Sequence, residues 1–415
     1  MISESEYKSR RKRLGKKLCA NSVGIVFSSE YKKRSNDTEY PFRQNSNFYY
    51  LSGFKEDSSA LMFVKGKKKL KTILFVAKKD KKLELWNGKR LGEKKAKKRF
   101  LVDEVLSIDE LQKELKKYLQ DTKKLYYDFN LDYSKVKILK RYSKQLSTHK
   151  NIASIIQKMR LIKSSSEIKL IKKAINITKK AHINLMKMDK SGKNEYHLLA
   201  ELEYVFKKNG AYSDAYRSIV ACGDSANTLH YIDNNKALKK GKLVLVDAGC
   251  EYEYYASDIT RTIPVDGKLT TAQQELYDLV LDTQLRVIKM IKPHTKRSDL
   301  QTKAIKLLTK GMVRLGILRG SVKKLIKNGS YKTYYPHGIG HWMGLDVHDE
   351  APYKDKNNKE IKLKAGMVLT IEPGIYIAKS DKSVPKKYRG IGIRIEDNIL
   401  ITKNGYKNLS KSIPK

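Results

Sequence analysis

Cysteine is scarce in this 415-residue chain: there are three, Cys19, Cys222 and Cys250, odd in number and far apart. That excludes a disulfide framework and makes the reducing cytoplasm the expected location. No apolar run approaches the roughly 18–20 residues that span a bilayer, and the opening Met1-Ile2-Ser3-Glu4-Ser5-Glu6 lacks the apolar stretch of a secretory signal. No membrane partner is therefore expected. Acidic residues are also in short supply, with 44 Asp and Glu against 88 Lys and Arg and a net charge of +44. So basic a chain invites a nucleic-acid reading, yet the lysines are dispersed over apparent helices, turns and strand ends. Lys65-Gly66-Lys67-Lys68-Lys69 has the form of a hairpin turn, and Lys207-Lys208 closes a helix. With Ile, Asn and Tyr also abundant, the pattern fits a coding bias toward AT-rich codons, and no specific nucleic-acid partner is expected.

What is present fills two domains, each large enough for its own core. Residues 1–158 mix a basic helix (Glu6 to Ala20) with short β-branched strands at Ser22–Phe27, Ser59–Val64, Leu70–Val76 and Lys124–Tyr127, and a helix over Leu111–Leu119. This is an α/β domain. Residues 159–415 open with Ser164-Ser165-Ser166-Glu167, a hydroxyl followed three positions later by a carboxylate, the form of a capping box. Helices are expected at Ile168 onward, Glu195–Lys208, Thr271–Ile291 and Ser298–Leu315. Strands are expected at Leu243–Asp247, Asp258–Pro264, Met367–Glu372 and, as one run, Gly390–Thr402. The second domain reads as α+β.

Three of the eight histidines, His337, His341 and His348, fall within twelve residues among glycines, on short irregular backbone. Imidazole is both the common metal ligand and the acid/base of neutral pH, so the cluster reads as a built site. Four carboxylates lie at strand ends elsewhere. Asp247 closes an apolar strand, and Asp258 opens the return strand with ten residues between them, which suits a hairpin. Glu372 precedes Pro373-Gly374, and Arg394 and Glu396 share one face of an otherwise isoleucine-rich strand. Acids gathered on buried strand ends repel one another and lose solvation. A cation relieves both problems, and four carboxylates with one histidine supply enough ligands for two divalent ions. The oxygen-rich set suits manganese, or cobalt or zinc by availability, and the lack of thiolates argues against a structural zinc. The remaining histidines His149, His182, His197 and His294 read as ordinary solvated residues, and the cysteines carry no expected role.

The order Asp247-Ala248-Gly249, Asp258-Ile259-Thr260-Arg261-Thr262, His337-Gly338-Ile339-Gly340-His341, Asp346-Val347-His348-Asp349, Ile371-Glu372-Pro373-Gly374-Ile375-Tyr376 and Arg394-Ile395-Glu396-Asp397 resembles the pita-bread metallopeptidases: methionine aminopeptidases, prolidases and aminopeptidases P, with creatinase as a relative. Residues Glu39 to Phe54, Leu85 to Gly92 and Met159-Arg160-Leu161 resemble the additional N-domain of aminopeptidase P and its junction. The resemblance implies a creatinase/aminopeptidase P-like N-domain ahead of a catalytic pita-bread domain, and an enzyme that releases an N-terminal residue when proline follows. It implies Asp247, Asp258, His341, Glu372 and Glu396 as ligands of the two metals, with Glu372 also the general base. His348 would stabilise the oxyanion, and His230 and His337 would line the proline pocket. Arg394 joins the catalytic set, with ion-pair partner of the acids as its alternative role, and Tyr376 joins the substrate-binding set, with packing as its alternative. It further implies a homo-oligomer, tetramer or dimer, in which Asp37 and Trp86 approach a neighbouring subunit's site. Two other readings remain: a prolidase confined to Xaa-Pro dipeptides, and a non-catalytic RNA-binding protein on the same fold.

Overall fold

A computed structural model describes residues 1–146 and 148–415. The chain divides into two compact units, Met1–Arg160 and Leu161–Lys415. The first opens on α1 (Glu4–Gly15), capped by the Ser3 hydroxyl, which accepts from the Glu6 amide. A six-stranded sheet follows, built from β1 (Ser22–Phe27), β2 (Ala60–Lys65), β3 (Leu70–Val76), β4 (Glu104–Ser107), β5 (Lys124–Tyr127) and β6 (Thr148–Asn151), in the order β4-β3-β2-β1-β5-β6. β2 runs antiparallel to both β1 and β3, while β4 joins β3, β5 joins β1 and β6 joins β5 in parallel. The lysine-rich turn between β2 and β3 closes through a hydrogen bond from the Gly66 amide to the Lys69 carbonyl. Val23, Ile25, Met62, Ile73 and Phe75 make the core with Leu111, Leu115 and Leu119 of α2 (Leu111–Gln120). This is the α/β unit expected from the strand spacing.

In the second unit the helix starts follow their capping residues. Ser164 and Glu167 form the expected capping box at the head of α3 (Ser165–Lys187), and a second box at Thr270 and Gln273 opens α5 (Thr271–Lys289). Between them, α4 (Glu195–Lys208) packs with α3, burying Ala174, Ile177, Leu198 and Leu202 against Val220, Val244 and Val246. α5 and α6 (Arg297–Arg314) cover the other strands, so that Leu276, Val280 and Leu308 meet Leu369, Ile371, Ile393 and Ile399.

Two antiparallel sheets carry the candidate acids. One is β8-β9-β12: Ile219–Cys222, Leu243–Ala248 and Ile259–Pro264, in register with Asp247 opposite Thr260. The small strands β7 (Ser213–Asp214), β10 (Cys250–Tyr252) and β11 (Tyr255–Ala256) elaborate the hairpin between β9 and β12. The other sheet is β13-β16-β17, formed by Val368–Ile371, Asp397–Thr402 and Gly405–Asn408, with the ribbon β14-β15 (Gly374–Ile377 and Ile391–Arg394) beside it.

Two expectations need correction. The run Gly390–Thr402 is not one strand: it pairs with β14 up to Arg394, then changes partner to β13 from Asp397. At the junction the Ile395 amide reaches the Pro373 carbonyl and the Glu396 amide reaches Thr260. The apolar run is continuous, so nothing in its pattern marks the change of partner. His182 is not solvated. It is buried on α3 with Nε2 3.4 Å from the Ala248 carbonyl, and burial, with Arg261 nearby, pushes its pKa down to about 3. No helix among the described residues is long and apolar enough to cross a membrane.

Candidate active site

The ends of β9, β12, β13 and β15 open on one cavity of about 420 Å³. Asp247, Asp258, Glu372, Arg394 and Glu396 line it with His230, His337, His341 and His348, and Ile219, Leu229, Ile232 and Val347 supply apolar wall. The structure thus brings together nearly all the residues singled out from sequence, Tyr376 entering through its hydrogen bonds to His337 and Arg394. Asp37 and Trp86 lie in the first unit and do not line the cavity. Asp37 sits in the exposed turn of the ribbon Lys33–Ser35/Thr38–Glu39, and Trp86, on the helix Lys81–Asn87, is 84% exposed.

His341 is placed by backbone. A Cβ at Gly340 would overlap the Thr370 carbonyl oxygen, so only glycine lets the histidine-bearing loop lie against β13. The His341 amide donates to Thr370 Oγ1 at 3.0 Å, and the Thr370 amide to the His341 carbonyl. Nδ1 of His341 faces the Trp342 carbonyl at 3.0 Å. A carbonyl can only accept, so Nδ1 carries the hydrogen and Nε2 is turned to the acids, 3.2 Å from Asp258 and 3.7 Å from Glu372. A carbonyl-anchored imidazole presenting its other nitrogen is the usual disposition of a metal-ligating histidine.

His337, on the opposite side, is engaged at both nitrogens. Nδ1 lies 2.8 Å from the Gly338 carbonyl and so donates, leaving Nε2 to accept from the Tyr376 hydroxyl at 2.8 Å. The Tyr376 oxygen accepts in turn from Arg394 Nη1 at 2.9 Å. Burial and the nearby Arg394 lower the His337 pKa to about 4, so the ring is neutral. Arg394, itself buried, also donates to Asp247 at 2.6 Å and to Thr260 Oγ1 at 3.2 Å, which fixes it as a brace.

The acids crowd one another in a buried place, the electrostatics of a cation site. Glu396 is held well above the usual carboxylate range by burial and by Asp258, Glu372 and Asp247. Glu372 is pushed up to about 7 by burial, against the pull of His341. Asp247 is raised by burial against the pull of Arg394. Asp258 and His341 go the other way: burial disfavours the charge on each, but their contact lowers the acid and lifts the imidazole to about 9. One oxygen of Glu396 accepts from Thr260 Oγ1 at 2.8 Å, while its Oε1 is buried without a hydrogen-bond partner. Ligand atoms of Asp258, His341 and Glu396 lie within 4.8 Å of one another. The donor set therefore fits divalent cations, which would satisfy the orphaned oxygen and quench the repulsion.

Sequence reasoning missed Tyr216. Its hydroxyl lies 2.6 Å from both Asp247 Oδ1 and Asp258 Oδ1. It has one hydrogen for two carboxylates, so it pins the pair without neutralising it. Tyr216 sits on irregular chain between β7 and β8, one of 26 tyrosines, and no periodicity or motif marks it. Gln284 was missed as well. Buried on α5, it donates from Nε2 to the carbonyls of Ile371 and Ile395, the residues preceding Glu372 and Glu396.

Comparison with known proteins matches this geometry. The model of metallopeptidase family M24 fits residues 169–403, and that of the aminopeptidase P N-terminal domain fits residues 7–126. The chain is 41% identical over 414 residues to a Xaa-Pro aminopeptidase of Haemophilus influenzae, spanning 100% of this chain and 96% of that protein. It is 38% identical over 426 residues to the Escherichia coli Xaa-Pro aminopeptidase, with the same coverage. Among solved structures, proline aminopeptidase P II from Yersinia pestis superposes with a TM-score of 0.96 at 37% identity, over 100% of this chain and 97% of that one. Zinc-substituted E. coli aminopeptidase P in complex with product gives 0.96 at 38% identity, over 100% and 96%. With the catalytic sheets, the acid-lined cavity and full-length likeness in agreement, the chain belongs to metallopeptidase family M24, with the aminopeptidase P N-terminal domain ahead of its catalytic domain.

Proposed function

We infer that this chain is a Xaa-Pro aminopeptidase, a metal-dependent hydrolase that removes the first residue of a peptide when proline is second. The observation that carries this reading is the convergence of four acids and His341 on one cavity with apolar walls, in a chain matched end to end by Xaa-Pro aminopeptidases. Asp247, Asp258, His341, Glu372 and Glu396 would hold two divalent ions, with manganese the proposed metal and cobalt or zinc the alternatives. Bound there, the ions would polarise the scissile carbonyl and acidify the attacking water.

The chain's own groups do the rest. The acids at the floor take the substrate's free amine. The apolar side chains and the face of His337, whose nitrogens are both occupied, wall in the pyrrolidine ring. Glu372 takes the proton of the attacking water and passes it to the departing proline nitrogen. Partial desolvation and neighbouring His341, whose ring centroid is 4.1 Å away, hold the His348 pKa below the usual histidine value. From the cavity mouth His348 donates to the carbonyl oxygen as negative charge develops there. His230, exposed at the same mouth, contacts substrate. Arg394 positions Asp247 and Tyr376. In the first domain, the bare Trp86 and the turn at Asp37 serve a homo-oligomer, tetramer or dimer. Three free cysteines accord with the cytoplasm.

Glu372→Gln should lower kcat on an Xaa-Pro-Xaa tripeptide by about 10²–10⁴, the usual contribution of a positioned general base. Normal turnover in that variant would overturn the assignment. Comparing the tripeptide with its Xaa-Pro dipeptide tests the prolidase reading, which requires a strong dipeptide preference.

A further inference from the structure

The cavity is asymmetric in charge along its depth. Its floor is acidic, its middle is apolar, and three of its lining residues are exposed: His230, His348 and Arg217. These three mark the mouth. Two arginines line the cavity. Arg394 is buried and spent on Asp247, Tyr376 and Thr260. Arg217 makes no hydrogen bond and no ion pair among the described residues, although most acids of the site are only a few side chains away. Its backbone is tethered next door, since Tyr216 is clamped between Asp247 and Asp258. The Arg217 backbone is therefore anchored beside the opening, while its exposed guanidinium is without a partner among the described residues and can turn to meet a ligand.

We propose that Arg217 receives a carboxylate that lies beyond the proline of the substrate, so that this site favours short peptides whose C-terminal carboxylate follows the proline closely. The proposal rests on the aminopeptidase reading above. An amine held at the floor and a pyrrolidine held by the apolar walls leave the next residue to emerge at the mouth. There a planar fork of donors suits a carboxylate better than an amide. The pairing is half in solvent, so its effect is modest and screened by salt.

The test uses the metal-loaded full chain with Ala-Pro-Ala as the free acid and as its C-terminal amide, reading kcat/KM for each. The expected wild-type preference for the acid is about threefold to fivefold, the range of an exposed ion pair, falling toward one in 0.5 M salt. In Arg217→Ala the preference should collapse, and in Arg217→Glu it should invert. Because the whole molecule is basic, Lys68→Glu, which makes the same charge change in the turn between β2 and β3, serves as control and should keep the wild-type ratio. An acid-to-amide ratio that is unaltered in both Arg217 variants, or shifted equally by Lys68→Glu, overturns the proposal. If the wild type cleaves neither peptide, the aminopeptidase reading fails instead.

Discussion

Single residues at this site do paired work. Tyr216 offers one hydroxyl to two carboxylates, and Arg394 spreads one guanidinium over an acid, a phenol and a threonine. Such supporting groups tune a metal site nearly as much as its ligands. Tyr216→Phe should leave the fold intact but weaken divalent-metal binding by about 10–100-fold, measured by calorimetric titration of the metal-stripped protein. Unchanged affinity would show that the hydroxyl is incidental. The acids were legible in the sequence because each interrupts an apolar strand at its end, where only a buried charge with a purpose belongs. Tyr216 was not legible, because a tyrosine on irregular backbone carries no period to betray its direction. His182 misled for the opposite reason: a polar letter on a helix reads as solvated, while its actual position faces the packed side of α3.

Among the elements, the head of α3 was readable because caps are local chemistry: the Ser164 hydroxyl meets an orphan amide there and Glu167 answers it, as Thr270 and Gln273 do at α5. Partner exchange between strands is not local. The isoleucines of β15 continue without pause into Ile395, and only tertiary pairing shows that Glu396 stands at the crossing from one sheet to the next. Gln284 secures that crossing from α5, with its amide split between two carbonyls. Gln284→Leu removes both donors and leaves buried oxygens unpaid, at about 1–3 kcal/mol for each. We expect a lower denaturant midpoint together with reduced metal affinity, since Glu372 and Glu396 both lose their brace. A variant that is destabilised yet binds metal normally would separate the two effects and reject the coupling. The buried pair of Lys163 and Asp349, 2.9 Å apart, plays a similar part for the loop that carries His348.

For the molecule as a whole, acid stability has an identifiable weak point. His182 has a pKa of about 3 when folded and an ordinary value of 6.5 otherwise, so below pH 6.5 the unfolded chain binds a proton that the native state refuses. Stability therefore falls as pH drops from 6.5 toward 3, by up to about 1.4 kcal/mol per unit. Denaturant unfolding of His182→Leu at pH 7, 6 and 5 should give a shallower decline than wild type. Parallel curves would clear His182 of the effect. The charge of +44, by contrast, is dispersed along the chain, and it reaches the candidate cavity through two arginines, Arg217 and Arg394.

The crossing at Glu396 has one more consequence. Asp247 and Asp258 lie on or beside strands of one sheet, Glu372 and Glu396 beside strands of another, so any ion they share adds a rivet to the hydrogen bonds that already join the two, such as that from the Glu396 amide to Thr260. Loosening the layers would disperse the ligands, and a tightly held ion would resist the loosening. The same cluster then serves as catalyst and as fastener, and withdrawal of metal should lower the unfolding midpoint as well as abolish turnover.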